Sequence, residues 1–487
     1  MTTALLVVAV GVIVLAGMWL IASDFSGTDR AKLQIEALKY GVGFFAAGGA
    51  VAALLLSVRR QRLAEQTHDL ARNSQELAER NHQLARNAQF HTESDAAKRR
   101  VTDLYAKAVE QLGHSSTAVR LGGLYALERV AQENPEQRQT VVNVLCALLR
   151  MSAAGPRAAL ASHAMVGTSD VEANDGQYAA ELDGESRQNL EIRLTAQQIL
   201  VDHLRAFSGV SLDGMDLGAH LWQDVDLHLR GAVLVDFDFS YCSVRRATFS
   251  GATFIGETSF AGTKFADNAL FTCADFRECT DFSSAVFSGE VDFREATFAD
   301  FALFEEAAFE TDVNLSRAKF SGRADFGRAE FGRWALFPGV TFTESAVFSR
   351  AKFGGDTNFN SADFMQDAWF VGTRFETDSR FHGTKFGAKA TFEESIFVQS
   401  SQFYDVAFGG QLSFLMSHLF ESVRFHNTMF GGRVVFGVTR ANSITFSNCR
   451  VMLRSGQEDL WPSGWEVSAE GQVGALGKTK NPVNSTT

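Results

Sequence analysis

The sequence predicts an all-β solenoid in its C-terminal half, preceded by an α-helical N-terminal region with two transmembrane helices. Phenylalanine recurs every five or six residues from Phe249 to Phe436, which is a spacing typical of repeat architectures. Two uncharged apolar segments lie near the N-terminus, and leucine recurs every seven residues after them. The 487 residues include 43 Phe against 6 Tyr and 6 Trp, so one aromatic residue type is placed repeatedly.

The overall charge and the cysteines limit the classes of partner and of fold. The formal net charge of −12 argues against direct nucleic-acid binding, because a surface that neutralises phosphates needs excess Lys and Arg. The cysteines are odd in number and lack zinc-ligand spacing, so we expect reduced packing thiols in a cytosol. They are Cys146, Cys242, Cys273, Cys279 and Cys449.

Residues 1–58 are predicted to form a transmembrane hairpin. Residues 4–22 and 40–58 are apolar and uncharged, and each is long enough at ~1.5 Å per residue to nearly cross a ~30 Å hydrocarbon core. A cleaved signal peptide is disfavoured because no basic residue precedes the first segment. Arg59, Arg60 and Arg62 follow the second segment, and basic flanks stay cytoplasmic. We therefore expect a multi-pass protein of the inner (plasma) membrane, with its N-terminus and solenoid in the cytoplasm and a loop between the two segments.

Residues 59–96 are predicted to form a coiled-coil linker helix. Leu63, Leu70, Leu77 and Leu84 recur at heptad spacing in a segment without Gly or Pro. With these leucines at position d, position a holds small or polar residues, which predicts a weak seam that specifies oligomer number. Those residues are Thr67, Ser74, Asn81 and Ala88. A homo-oligomer is the first interpretation, and a single solvated helix is the alternative.

Residues 97–150 are predicted to be a small helical module with helices near 98–112, 117–132 and 137–150, each with apolar residues on one face. Residues 151–187 lack apolar periodicity and are typical of a flexible linker. Residues 188–208 are predicted to form a helix that leads into the repeats. His203 lies in it beside Asp202, and we interpret the two as a solvated pair because no third group is visible.

The repeat rhythm is strict. The first repeats carry Leu212, Leu217 and Leu227, and from Phe260 the spacing alternates between five and six residues. Of the 35 positions selected by this rhythm between Phe249 and Phe436, 33 are Phe and the others are Leu315 and Leu419. Two residues before each, the side chain is Ala, Thr, Ser or Val, with Leu412 as the exception. The repeating unit is therefore a small residue, any residue and a large apolar residue.

Neither a long helix nor a flat strand accommodates this rhythm. A five-residue step turns a helix by about 500°, which places successive Phe about 140° apart. In a flat strand the same step moves the next Phe to the opposite face. A chain that turns a corner between successive Phe points every Phe and every small residue inward, so the sequence predicts a solenoid.

Segments such as Gly251 to Ile255 (GATFI) and Arg317 to Ser321 (RAKFS) resemble the pentapeptide-repeat family over about Val210 to Arg450. The resemblance implies a right-handed quadrilateral β-helix at residues 209–450, with four segments per coil and stacked central residues. An extra residue in every second segment gives coils of 22 residues instead of 20, so two corners per coil should be wider. Residues 451–487 form a polar tail, in which Trp461 and Trp465 either cover the last coil or lie in a disordered segment.

The phrase VRLGGLYALERVA, from Val119 to Ala131, resembles a helix found beside such repeats in bacterial membrane proteins, so we interpret the chain as a bacterial membrane-anchored pentapeptide-repeat protein.

No nucleotide-binding, metalloprotease or hydrolase motif is present, so we predict no enzyme and no catalytic, cofactor-binding or metal-binding residues. No small-molecule substrate is expected. Domain order favours a membrane-tethered scaffold that presents the solenoid to an unknown cytosolic protein. One alternative is the DNA mimicry by which family branches inhibit or protect topoisomerases. Another is a membrane-linked sensory or regulatory protein.

Overall fold

The computed structural model describes residues 2–24, 27–151, 184–206, 220–453, 458–470 and 473–478. The chain divides into two compact units, Met1–Arg100 and Val101–Thr487. The linker prediction for 151–187 falls largely on residues outside this description, as do Leu212 and Leu217 among the early repeats.

The first unit contains helix α1 (Thr2–Ser23) and most of helix α2 (Thr28–Leu112). The two helices are antiparallel neighbours, because Gly11 faces Phe44 and Phe45 while Gly41 faces Leu15. A Cβ atom at Gly41 would lie 2.4 Å from Leu15 Cδ2, so glycine permits the close approach of the two helices. The predicted connecting loop is wrong in extent, since α2 already begins at Thr28. Residues 28–39 contain no Gly or Pro and continue the helix.

Within the described residues, α2 is the one helix long and apolar enough to cross a membrane. In α1 the shorter stretch Val8–Ser23 is apolar. The structure therefore contains one candidate span, in the helix that includes residues 40–58, and the predicted span at residues 4–22 stays a prediction. Beyond the apolar part of α2, Leu63, Leu70, Leu77 and Leu84 are exposed by 55 to 67% and contact no partner helix in the described chain.

The helices of the second unit cover the start of the solenoid. They are the end of α2, α3 (Thr117–Glu133), a 3₁₀ turn (Pro135–Gln137), α4 (Arg138–Arg150) and α5 (Gly184–Leu204). The helix predicted near 98–112 is the end of α2 and not a separate element. Buried residues of these helices share one continuous core with the solenoid, so the module is part of its packing.

The repeats form four columns of short parallel strands, called the first to fourth faces in chain order. The first face contains Asp226–His228, Arg246–Thr248, Ala269–Leu270, Val291–Asp292, Val313–Asn314, Ala335–Leu336, Thr357–Asn358, Ser379–Arg380 and Ser401–Tyr404. The second contains Val233–Val235, Thr253–Ile255, Asp275–Phe276, Thr297–Phe298, Lys319–Phe320, Thr341–Phe342, Asp363–Phe364, Lys385–Phe386, Ala407–Phe408, Met429–Phe430 and Arg450–Met452.

The other two columns complete each coil. The third face contains Thr258–Ser259, Thr280–Asp281, Ala302–Leu303, Ala324–Asp325, Ala346–Val347, Ala368–Trp369, Ala390–Thr391, Leu412–Ser413 and Val434–Val435. The fourth contains Ser243–Val244, Lys264–Phe265, Val286–Phe287, Ala308–Phe309, Glu330–Phe331, Lys352–Phe353, Arg374–Phe375 and Ile396–Phe397. Strands His418–His426 and Arg440–Ser447 run across the fourth and first faces.

The inward column of rings is confirmed. Phe298 pairs in register with Phe320, 22 residues later, and their ring centroids are 4.6 Å apart with planes 1° from parallel. The Phe residues of the rhythm are buried, and so are the small residues two positions earlier. The chain therefore forms a parallel β-solenoid with 22 residues per coil in its middle. The right-handedness implied by the resemblance stays a prediction.

The two step lengths produce two kinds of corner, as expected. After Phe282, a five-residue step makes a tight turn in which Ala285 N–H donates to Phe282 O and Ser284 has a φ of +56°. Six-residue steps make wider corners, and at one of them a Cβ atom on Gly289 would lie 2.4 Å from the backbone of Asp267. At the start, where the sequence steps by five, register pairs Val233 with Thr253, 20 residues later.

The C-terminal end is covered by residues of the predicted polar tail. Strands Trp465–Glu470 and Val473–Lys478 form an antiparallel hairpin that extends the second face beyond Arg450–Met452. Trp461 lies 5.4 Å from the ring of Phe430, and Trp465 lies 5.0 Å from that of Phe446. The two tryptophans thus cover the last rings, which matches the first of the two interpretations made for them.

Candidate functional site: the outer surface of the solenoid

Functional groups on the solenoid are presented by outward residues in straight columns, because equivalent residues of successive coils are paired in register. Residues on either side of most of the Phe point outward, since side chains alternate along a strand. The sequence predicted no catalytic, cofactor-binding or metal-binding residues. In the described ranges, no group of three or more His, Cys, Asp or Glu is arranged to hold a metal ion.

Basic and acidic side chains neutralise one another on the middle coils. Arg317, Arg323, Arg328 and Arg333 lie among acidic residues on these coils. Arg328 lies 2.6 Å from Glu305 and 2.8 Å from Glu306, and the other three pair with Glu295, Asp325 and Asp312 at 2.8 to 3.7 Å. Exposed pairs of this kind stabilise little, at about 0–1 kcal/mol each. Their effect on function is to remove any continuous acidic stripe from this part of the surface.

An apolar patch lies on the C-terminal coils. Val398 and Phe420 are neighbours on the fourth face, because Phe397 pairs with Leu419. Phe420 is 51% exposed, and Met416 and Val438, at the corner before that face, are 48% and 75% exposed. We call Met416, Phe420 and Val438, with the half-buried Val398, the C-terminal apolar patch. Exposed clusters that include aromatic and Met side chains are typical of protein-binding surfaces.

A polar column lies beside the patch, on the first face. The rings of His382 and Tyr404 stack with centroids 4.8 Å apart, and His426 follows edge-on at 5.8 Å. His382 Nε2 lies 2.9 Å from Gln402 Oε1, and His426 Nδ1 lies 2.8 Å from Ser447 Oγ. Each imidazole of the column therefore has a hydrogen-bond partner among the neighbouring strands.

The interpretation of His203 as part of a solvated pair is wrong. His203 is buried, its Nε2 lies 2.9 Å from Glu128 Oε1, and its ring stacks on Trp222 with centroids 4.2 Å apart. Its Nδ1 lies 2.8 Å from the carbonyl oxygen of His220. Sequence reasoning missed this cluster because its members lie far apart in the chain. The arrangement joins α3, α5 and the start of the solenoid, and all three contacts are structural.

The cysteines are free, as expected. Cys146, Cys242 and Cys449 are buried, and burial raises the pKa of Cys146 to about 11 and that of Cys242 to about 12. The expectation of a packing thiol is wrong for Cys273, which is exposed. Partial burial and then the carboxylate of Glu295 raise the pKa of Cys273, which keeps it protonated and therefore a weak nucleophile at neutral pH.

Comparison with known proteins supports the pentapeptide-repeat interpretation over part of the solenoid. Residues 337–385 match a family model described as "Pentapeptide repeats (9 copies)". These residues cover all four faces, and the strands before and after them continue the same register. The chain thus contains a pentapeptide-repeat β-solenoid, a fold that is typically non-catalytic. No curated protein and no solved structure matches the chain significantly.

Proposed function

We propose that the chain is a membrane-tethered, non-catalytic scaffold that presents its solenoid to a cytosolic protein partner. The apolar helices α1 and α2 insert in the inner membrane as a two-span hairpin, with the N-terminus and the solenoid on the cytoplasmic side. The observation that supports binding of a protein partner is the C-terminal apolar patch. In a repeat array that buries nearly all its Phe, Phe420 is half exposed, and Met416 and Val438 are exposed at the corner before the same face.

The charges weigh against DNA mimicry. A duplex mimic needs a continuous acidic surface, whereas the middle coils alternate Arg with carboxylates in close pairs. Protein binding through an apolar patch with a polar surround requires no such stripe. Topoisomerase inhibition and a sensory role are therefore secondary proposals, and a supercoiling assay with the purified full chain distinguishes the first of them.

The experiment combines membrane fractionation with proximity labelling in the native cell. The wild-type chain is compared with Phe420→Ser and with the matched control Phe301→Ser, in which an equally exposed Phe lies outside the patch. We expect membrane recovery of all three chains, and loss of the labelled partner from Phe420→Ser alone. Recovery in the soluble fraction contradicts the tether, and equal labelling by both variants contradicts the patch.

A further inference from the structure

The exposed part of α2 carries a face that is broader than the four leucines. Each leucine is followed directly by alanine, giving the pairs Leu63–Ala64, Leu70–Ala71, Leu77–Ala78 and Leu84–Ala85. Around the helix the a positions lie about 40° from the leucines and the alanines about 100° from them, on the same side. The result is a continuous face of Leu and small residues over four heptads, exposed to solvent in the single chain.

The polar residues on this face differ in how well their hydrogen bonds are satisfied. Thr67 Oγ1 donates to Ala64 O at 2.9 Å, and Ser74 Oγ donates to Ala71 O at 2.7 Å. These hydroxyls can be buried at low cost because they already bond within their own helix. The side-chain amide of Asn81 makes no hydrogen bond to the described chain, so its burial requires a hydrogen-bonding group from outside.

We propose that residues 63–88 pair with a second copy of this chain as a parallel two-stranded coiled coil in which the two Asn81 side chains bond to each other. In a parallel pair the d layers bring Leu against Leu, and the a layers bring Thr67, Ser74 and Asn81 each against its own equivalent. An antiparallel pair over the same residues places three of the four leucines opposite Thr67, Ser74 and Asn81, so Asn81 faces an apolar side chain. The layer composition therefore selects the parallel arrangement.

The charges next to the seam agree with two identical chains. Arg80 is the charged residue at the g positions of these heptads, and position e of the partner helix is alanine in every heptad. No like charges meet across a parallel seam, so identical chains do not repel there. A single Asn at an a position is a device that fixes register and oligomer number. The inference goes beyond the proposed function, because it requires neither the membrane nor the solenoid partner.

Disulfide cross-linking of the full-length chain in detergent micelles tests the orientation. In a background with Cys273→Ser and Cys279→Ser, the single variants Leu63→Cys and Leu84→Cys are oxidised alone and mixed, with the outward Glu79→Cys as control. We expect each leucine variant to cross-link to itself at least about tenfold faster than the control, with no product joining positions 63 and 84. A mixed 63–84 product, or cross-linking no faster than the control, overturns the proposal.

Light scattering of the same micelles tests the role of Asn81. The wild-type chain should have the mass of two copies, and Asn81→Leu should shift the population toward three or more, because the polar pair no longer specifies two strands. A monomeric wild type refutes the pairing. A variant that stays strictly dimeric refutes the role of Asn81. This outcome does not depend on the result of the membrane fractionation.

Discussion

Arg193 Nη2, on α5, donates a hydrogen bond of 2.7 Å to the main-chain carbonyl of Val233, in the first strand of the second face. The same guanidinium bonds the carbonyls of Leu148, Leu149 and Met151 at the end of α4. Burial lowers the pKa of Arg193, which has no carboxylate partner in the described chain. One buried cation thus donates hydrogen bonds both to the free carbonyl oxygens at the end of a helix and to a carbonyl oxygen at the open edge of the solenoid.

Replacing Arg193 by Met is expected to destabilise the second unit. The variant leaves buried carbonyls without donors, and its free energy of unfolding should fall by about 2–4 kcal/mol. Urea unfolding of the full chain measures the loss, with Arg187→Met on the exposed side of α5 as the control. Equal stabilities for the two variants contradict the capping role.

Phe320→Ala should cost about 3–5 kcal/mol of unfolding free energy, because it opens a cavity between rings stacked on both sides. Phe301→Ala removes a ring that is 49% exposed and should cost less than about 1 kcal/mol. The two variants delete the same side chain, so their difference in thermal or urea unfolding isolates burial in the column. A similar loss of unfolding free energy in both variants contradicts a stabilising role for the buried column of rings.

Ser284→Val is expected to reduce the free energy of unfolding by about 1–2 kcal/mol. The φ of +56° at Ser284 belongs to the left-handed region, where a β-branched side chain is strained. Ser284→Gly relieves that strain and should leave the free energy of unfolding unchanged or raised. Thermal unfolding compares the stabilities of the wild type and the two variants. A Val variant as stable as the Gly variant is inconsistent with the tight turn.

The corner between the second and third faces of the early coils contains Glu278. It should make the free energy of unfolding depend on pH. Burial, followed by repulsion from Asp236, Glu257 and Asp300, raises the pKa of Glu278. The folded chain therefore binds this proton more tightly than the unfolded chain, and stability falls as pH rises through the interval between the unfolded and the raised folded value.

Glu278→Gln removes that charge, so we expect it to raise the free energy of unfolding at pH 7 and to have no effect near pH 3, where the wild-type carboxyl is protonated. Glu344→Gln is the control, because the same corner three coils later has Gly322 and Gln366 as its neighbours. Unfolding measured across this pH range gives the difference. An equal gain at pH 3 and pH 7 excludes the charge as its cause.

The solenoid was predictable because its signal is repeated many times. Phe298 and Phe320 follow the same spacing as the other Phe of the rhythm and pair in register. The alternation of five- and six-residue steps predicts the 22-residue coil and both kinds of corner. The small residues confirm the inward direction, since Ala318 and Ala324 are buried as the rhythm requires.

The N-terminal end of the solenoid was not predictable, because it is built from single contacts between distant residues. Gln139 and Gln197 each bond both the N–H and the C=O of one strand residue, Asp226 and Val235 respectively, as a neighbouring strand would. Nothing in a helical pattern distinguishes such glutamines from solvated ones. The apolar patch escaped prediction for a related reason, since Phe420 lies next to Leu419 and breaks no rhythm.

Thiol accessibility around one coil tests the inward column most directly. In the Cys273→Ser and Cys279→Ser background, Ala318→Cys, Ala324→Cys, Ala329→Cys and Ala335→Cys introduce one inward thiol on each face, and Lys319→Cys, Arg323→Cys and Glu330→Cys introduce outward ones. All four inward thiols should react with a polar alkylating reagent at least about a hundredfold more slowly than the outward thiols, since they react only on opening. Inward thiols that react as fast as the outward ones would contradict a chain that turns a corner after every Phe.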